Sequence, residues 1–275
     1  MFNELLSLFS LSFIWRAIAV GVLISLCSAL LGVSLVLKRY SMIGDGLSHI
    51  AFGSLAITTV LNAAPMAITM IIVTLASVVL LKFSKKTKLS GDSSVAIIAS
   101  SSLAVGVFVL SKTGANTDLS NYLFGSILSI SRFDTYFCAV LSLVIIVLFV
   151  LFYNRIFAVT FDESFAKATG IKADTLNTVI AVLTALTIVV GMRLMGTLLI
   201  SSLIVFSPIS AMNICKTFKG VTITSAIISV LNFIIGIIAS LLFSAPTGAT
   251  IVIISLITLL ICYLIKFLKN KKPQT

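Results

Sequence analysis

Residues 13–37 read FIWRAIAVGVLISLCSALLGVSLVL, a run whose one formal charge is Arg16. Wound as an α-helix at about 1.5 Å per residue, it exceeds the roughly 30 Å of a bilayer's hydrocarbon core. Lipid offers backbone amides and carbonyls no partner, so a segment this apolar crosses only as a helix. The same pattern recurs downstream, and spans are predicted at 44–62, 66–82, 93–111, 134–154, 174–192, 195–214, 221–243 and 248–266. The expected fold is an all-α polytopic membrane protein of about nine transmembrane helices, with 1–275 forming a single membrane domain.

Composition points the same way. Apolar residues make up 59% of the 275 positions and charged residues 10%, too few to cover a soluble domain of that size. The net charge of +11 does not signal nucleic acid, because the basic residues are spaced between apolar runs and are not gathered on an aromatic surface. They mark topology. Lys38/Arg39, Lys82/Lys85/Lys86/Lys88, Arg155/Lys167/Lys172, Lys216/Lys219 and Lys266/Lys269/Lys271/Lys272 all fall on one face of a nine-span chain. By the positive-inside rule that face is cytoplasmic, which puts the N-terminus outside and the C-terminus inside. No Lys or Arg precedes Arg16, and Glu4 sits where a signal peptide carries positive charge, so the first run is read as a retained span. The segment 119–131 is too short to cross and too apolar for a free loop. It is expected to be re-entrant or to lie on the membrane surface, and eight or ten crossings stay open as alternatives.

Polar chemistry is scarce, which makes its location informative. His49 is the chain's one histidine, and Asp45 precedes it by four residues in the 41–53 segment SMIGDGLSHIAFG. Positions i and i+4 share a helix face, so a carboxylate and an imidazole project into the same space. Such a pair suits zinc, manganese or iron(II), whereas calcium and magnesium favour oxygen alone. The competing reading makes Asp45 a helix N-cap and His49 an interhelical hydrogen-bond partner. Two ligands do not complete a coordination shell, and a second copy of the chain packed about a two-fold axis would supply two more. Gly44, Gly46 and Gly53 allow helices to approach closely around the pair.

A second segment of interest lies in the longest cytoplasmic connection. Asp162 and Glu163 suit a helix N-terminus, Ala166 is small, and Gly170 can end the helix in a left-handed conformation. A short helix of this kind fits a cleft on another protein, though an ordinary amphipathic connector has the same composition. Met192 and Met195 are read as packing, as are the single cysteines at 27, 138, 215 and 262. Pro208 is expected to kink the seventh span. There is no phosphate-binding loop and no Ser/His/Asp set, so the chain is not expected to be an enzyme, and any ATP would be hydrolysed by another subunit.

Residues 38–49, KRYSMIGDGLSH, resemble the first-loop signature of the permease family of bacterial zinc, manganese and iron ABC importers. Residues 192–208, MRLMGTLLISSLIVFSP, resemble that family's later Val-Gly-x-Leu-Leu…Pro element, and the general plan is similar to the siderophore and cobalamin permeases. The resemblance implies a homodimeric permease in the bacterial cytoplasmic membrane, docked on two cytoplasmic ABC ATPase subunits and fed by an extracytoplasmic metal-binding protein. It implies no permanently bound cofactor, only a transported divalent metal ion. The family's metal-contacting residues would map onto Asp45 and His49, and its ATPase-coupling segment onto Asp162, Glu163, Ala166 and Gly170. Two rival readings are an ion-coupled secondary carrier, using the pair as a proton relay, and a non-transporting membrane scaffold in which the pair only fixes packing.

Overall fold

Each long apolar run forms an α-helix in the computed structural model, which describes residues 12–61, 65–86, 91–113, 125, 132–243 and 245–270. The helices are α1 (Ser12–Leu37), α2 (Ile43–Val60), α3 (Pro65–Lys86), α4 (Gly91–Thr113), α5 (Arg132–Leu151), α6 (Tyr153–Phe161), α7 (Glu163–Ala168), α8 (Ala173–Met195), α9 (Thr197–Ile214), α10 (Phe218–Phe243) and α11 (Thr247–Asn270). Nine of these described helices have 18 residues or more and correspond to the nine expected spans. Seven are both long and apolar enough to cross a membrane, and α2 and α3 fall short of that measure. For α2 the reason is its own chemistry, since Asp45, Ser48, His49, Thr58 and Thr59 interrupt its apolar positions. The segment 119–131, expected to be re-entrant or to lie on the membrane surface, is outside the described residues apart from Gly125.

The centre of the bundle is α9, which packs against α1, α2, α8, α10 and α11. Its residues Leu199, Ile200, Leu203 and Ile204 are buried to 1% exposure or less. Pro208 lies inside this helix, which continues to Ile214. Having no N–H, Pro208 leaves the carbonyl of Ile204 without its helical donor. That carbonyl faces Gly32 of α1 so closely that a Cβ there would lie 2.3 Å from the oxygen. Around this core, α11 presents Leu256, Leu260, Leu264 and Leu268 outward, as a lipid-facing helix requires. Lipid supplies no hydrophobic drive between helices, so close packing of small residues and buried polar contacts must hold them together. The α2–α4 contact is of this kind. A Cβ on Gly53 would fall 2.5 Å from the carbonyl oxygen of Ser102, and one on Gly46 would fall 2.2 Å from Val95 Cγ1.

Two local features depart from the expected spans. The run 134–154 does not continue as one helix. It ends at Leu151, and a separate amphipathic helix, α6, starts at Tyr153. Rings of α6 cluster on Phe218 at the start of α10, with Tyr153 and Phe157 at centroid distances of 5.4 and 5.3 Å, so aromatic packing redirects the chain. Between α8 and α9 the connection is a single residue, Gly196, at φ 84°. Met192 and Met195 on its near side are buried to 2% and 0%, consistent with packing residues.

Candidate metal site and coupling helix

The turn leading into α2 is tightly fixed. The amide of Tyr40 donates to the carbonyl of Leu35 at 2.9 Å and that of Arg39 to Val36 at 3.0 Å, the bond pattern of a Schellman helix end. Arg39 occupies the left-handed position at φ 62°, which a residue with a Cβ adopts only at some cost. The amide of Ile43 then donates to Tyr40 at 3.1 Å, and α2 begins.

Met42 is the N-cap residue of α2 and makes no side-chain capping bond; Asp45 falls in the first helical turn. The capping alternative for Asp45 therefore does not describe its position. Its Oδ2 lies 3.4 Å from His49 Nε2, with the Asp45 side chain 45% exposed and the His49 side chain 22%. This is beyond a good N–H···O hydrogen bond. It matches the separation of two ligands each about 2.0–2.1 Å from a tetrahedral ion, about 3.4 Å. His49 Nδ1 is buried and has no hydrogen-bond partner among the described residues, and the neighbouring Ser48 hydroxyl donates back to the Gly44 carbonyl at 2.8 Å. On its flanks α2 is gripped at Gly46 by Val95 of α4 and at Gly44 by Ile204 of α9. The pair thus sits on a close-packed helix and presents one oxygen and one nitrogen to a partly open face. Among the described residues no three His, Cys, Asp or Glu gather to hold a metal ion, so the described residues offer two candidate ligands at this point.

The other expected element folds as α7. Asp162 caps it, accepting a hydrogen bond from the Phe165 amide at 2.9 Å. Its far end is a second Schellman closure, in which Ile171 N donates to Ala166 O at 2.9 Å and Gly170 takes φ 83°. Ala166 points inward, fully buried against Val159 and Ala173, so it seats the helix rather than facing a partner. The large apolar residue that α7 turns outward is Phe165, 61% exposed, which composition did not single out. Glu163 Oε1 and Asp174 Oδ2 hold the Lys167 ammonium at 3.0 and 3.1 Å. These bonds, first to Glu163 and then to Asp174, raise the Lys167 pKa above its ordinary value of 10.5. Sequence reading also missed Asn177 of α8, an amide buried to 4% that links Lys38 to Glu163. An isolated Asn in an apolar run carries no signal of partners 139 and 14 residues away.

A long-helix bundle of this kind, carrying one carboxylate–imidazole pair on a gripped helix and a capped surface helix, has the construction of a membrane transport subunit. The profile of the ABC 3 transport family matches residues 10–266, and the chain belongs to that family. It is 28% identical to the high-affinity zinc uptake system membrane protein of Haemophilus influenzae, over 88% of this chain and 93% of that one. It is 24% identical to the manganese import system permease protein of Streptococcus gordonii, over 94% and 95% of the two chains. Among solved structures, PsaBC from Streptococcus pneumoniae in complex with a Fab has a similar fold, at TM-score 0.86 and 23% identity, covering 99% of this chain and all of that one.

Proposed function

We propose that this chain is the membrane permease of an ATP-driven importer for divalent transition-metal ions, zinc, manganese or iron, and that Asp45 and His49 contact the ion in transit. The observation that carries the reading is the pair itself, a carboxylate oxygen and an imidazole nitrogen 3.4 Å apart on a partly open face of a closely held helix. Membership of the ABC 3 family and the zinc and manganese relatives support the substrate class. Two ligands per chain, brought together from separate copies, can be parted again, which suits an ion that must leave. Two copies about an axis along the membrane normal would bring two Asp45–His49 pairs to one central path.

ATP is hydrolysed by a partner subunit bound on the cytoplasmic face, and the ion arrives from an extracytoplasmic binding protein. The basic residues Lys38, Arg39, Arg155, Lys216 and Lys219 favour the orientation with α7 inside and the N-terminus outside. In that orientation α7 offers Phe165 to the ATPase. Closure of the two ATPase subunits pushes on α7, and the bundle alternates between outward and inward openings of the path. The test is a mixed dimer in which one copy carries Asp45→Ala. Sharply reduced metal uptake supports a shared site, and uptake equal to that of the wild-type dimer counts against it.

A further inference from the structure

We propose that Asn177 is a positioning residue that ties α7 to the turn carrying the metal pair; this rests on reading α7 as the element the ATPase moves. Asn177 lies one turn into α8 and is 4% exposed. Its Oδ1 accepts a hydrogen bond from Lys38 Nζ, and its Nδ2 donates to Glu163 Oε2 at 2.9 Å. One side chain thus joins the last turn of the α1 region to the first residue of α7.

Both ends of this link are stiff. On the α7 side, the second carboxylate oxygen of Glu163 is held by Lys167 at 3.0 Å, and Lys167 also reaches Asp174 on the first turn of α8 at 3.1 Å. On the other side, Lys38 immediately precedes Arg39, whose left-handed backbone and flanking bonds leave the α1–α2 turn little freedom. Asp45 follows only two residues after Ile43, where that turn closes on Tyr40. A displacement of Glu163 is therefore passed through Asn177 and Lys38 to the backbone that aims the metal pair.

The chemistry of the link calls for an amide. Lys38 is only a donor and Glu163, as a carboxylate, only an acceptor, so the bridging side chain must accept on one atom and donate on another. Asparagine does both without charge. Leucine of similar size does neither, and aspartate would satisfy Lys38 while setting a second carboxylate against Glu163. Combining Asn177→Asp with Glu163→Gln exchanges donor and acceptor and rebuilds the bond with its direction reversed.

The test is transport of zinc-65 or manganese-54 per ATP hydrolysed, in proteoliposomes holding the permease with its cognate ATPase and binding protein. Asn177→Leu is expected to retain ATPase binding and basal ATP turnover while ions moved per ATP fall about tenfold, a coupling loss of ordinary size. Wild-type ions per ATP in Asn177→Leu, beside an inactive Asp45→Ala control, would overturn the relay alone. Full uptake in the Asp45→Ala control would overturn the underlying site reading instead. Should Asn177→Leu fail to fold, the decisive comparison is Asn177→Asp with and without Glu163→Gln. Recovery of ions per ATP in the double variant, at a thermal stability equal to that of the single variant, supports the link, because a merely structural bond would show in stability; a double variant as uncoupled as the single one overturns it.

Discussion

Substituting Gly53 tests how α2 is held. A Cβ at this position lies 2.5 Å from the Ser102 carbonyl oxygen and 3.1 Å from its carbon, both backbone atoms of α4. No side-chain rotation can relieve such a contact. A tolerable carbon–oxygen approach is about 3.3 Å, so in Gly53→Ala the helices must separate locally by about 0.8 Å. A gap of that size forfeits a quarter to a half of the dispersion attraction along the seam. Overpacking of this kind costs about 2 kcal/mol, against about 1 kcal/mol gained by alanine in a helix interior. The net expectation is a loss of about 1 kcal/mol, and more for Gly53→Val. Unfolding by titration with sodium dodecyl sulfate in mixed micelles, followed by circular dichroism, reads this difference. A Gly53→Ala permease as stable as wild type or more so would refute the claim that α2 and α4 meet backbone to backbone at this point.

Three further outcomes follow from local geometry. Asp162→Ala removes the acceptor for the Phe165 amide and should weaken α7 by about 1 kcal/mol, seen as faster hydrogen exchange at Phe165, while Asp162→Asn preserves protection. Gly170→Ala meets no neighbour within 4 Å but must hold φ 83°, so it should cost about 1–2 kcal/mol through backbone strain alone and accelerate exchange across 165–171. Manganese or zinc at about a hundredfold over its dissociation constant should stabilise the purified wild-type permease by about 2.7 kcal/mol, and His49→Ala should abolish that increment in thermal unfolding.

The long helices were legible because lipid leaves an apolar run one way to fold. The 13–37 run became Ser12–Leu37 nearly residue for residue. The Asp45–His49 juxtaposition was legible for a similar reason, since i, i+4 spacing fixes proximity before any tertiary structure is known. The left-handed Gly170 could be anticipated too, because few other residues close a helix that way. What escaped depended on contacts distant in sequence. The break at Leu151 follows from rings packing on Phe218, far along the chain, and apolarity alone continues smoothly through it. Ala166 stood out in the sequence only as a small residue, and its enclosure by Val159 and Ala173 depends on how the connection folds back on α8. Asn177 gained meaning only when folding set Lys38 and Glu163 on either side of it.

The most direct test of the metal site is radiometal accumulation, zinc and manganese in parallel, in cells expressing the whole importer with wild-type, Asp45→Ala or His49→Ala permease at matched membrane levels. The account predicts that uptake of one metal is lost in both variants, which would also name the substrate. Undiminished uptake in both would contradict it and move the metal path elsewhere in the bundle.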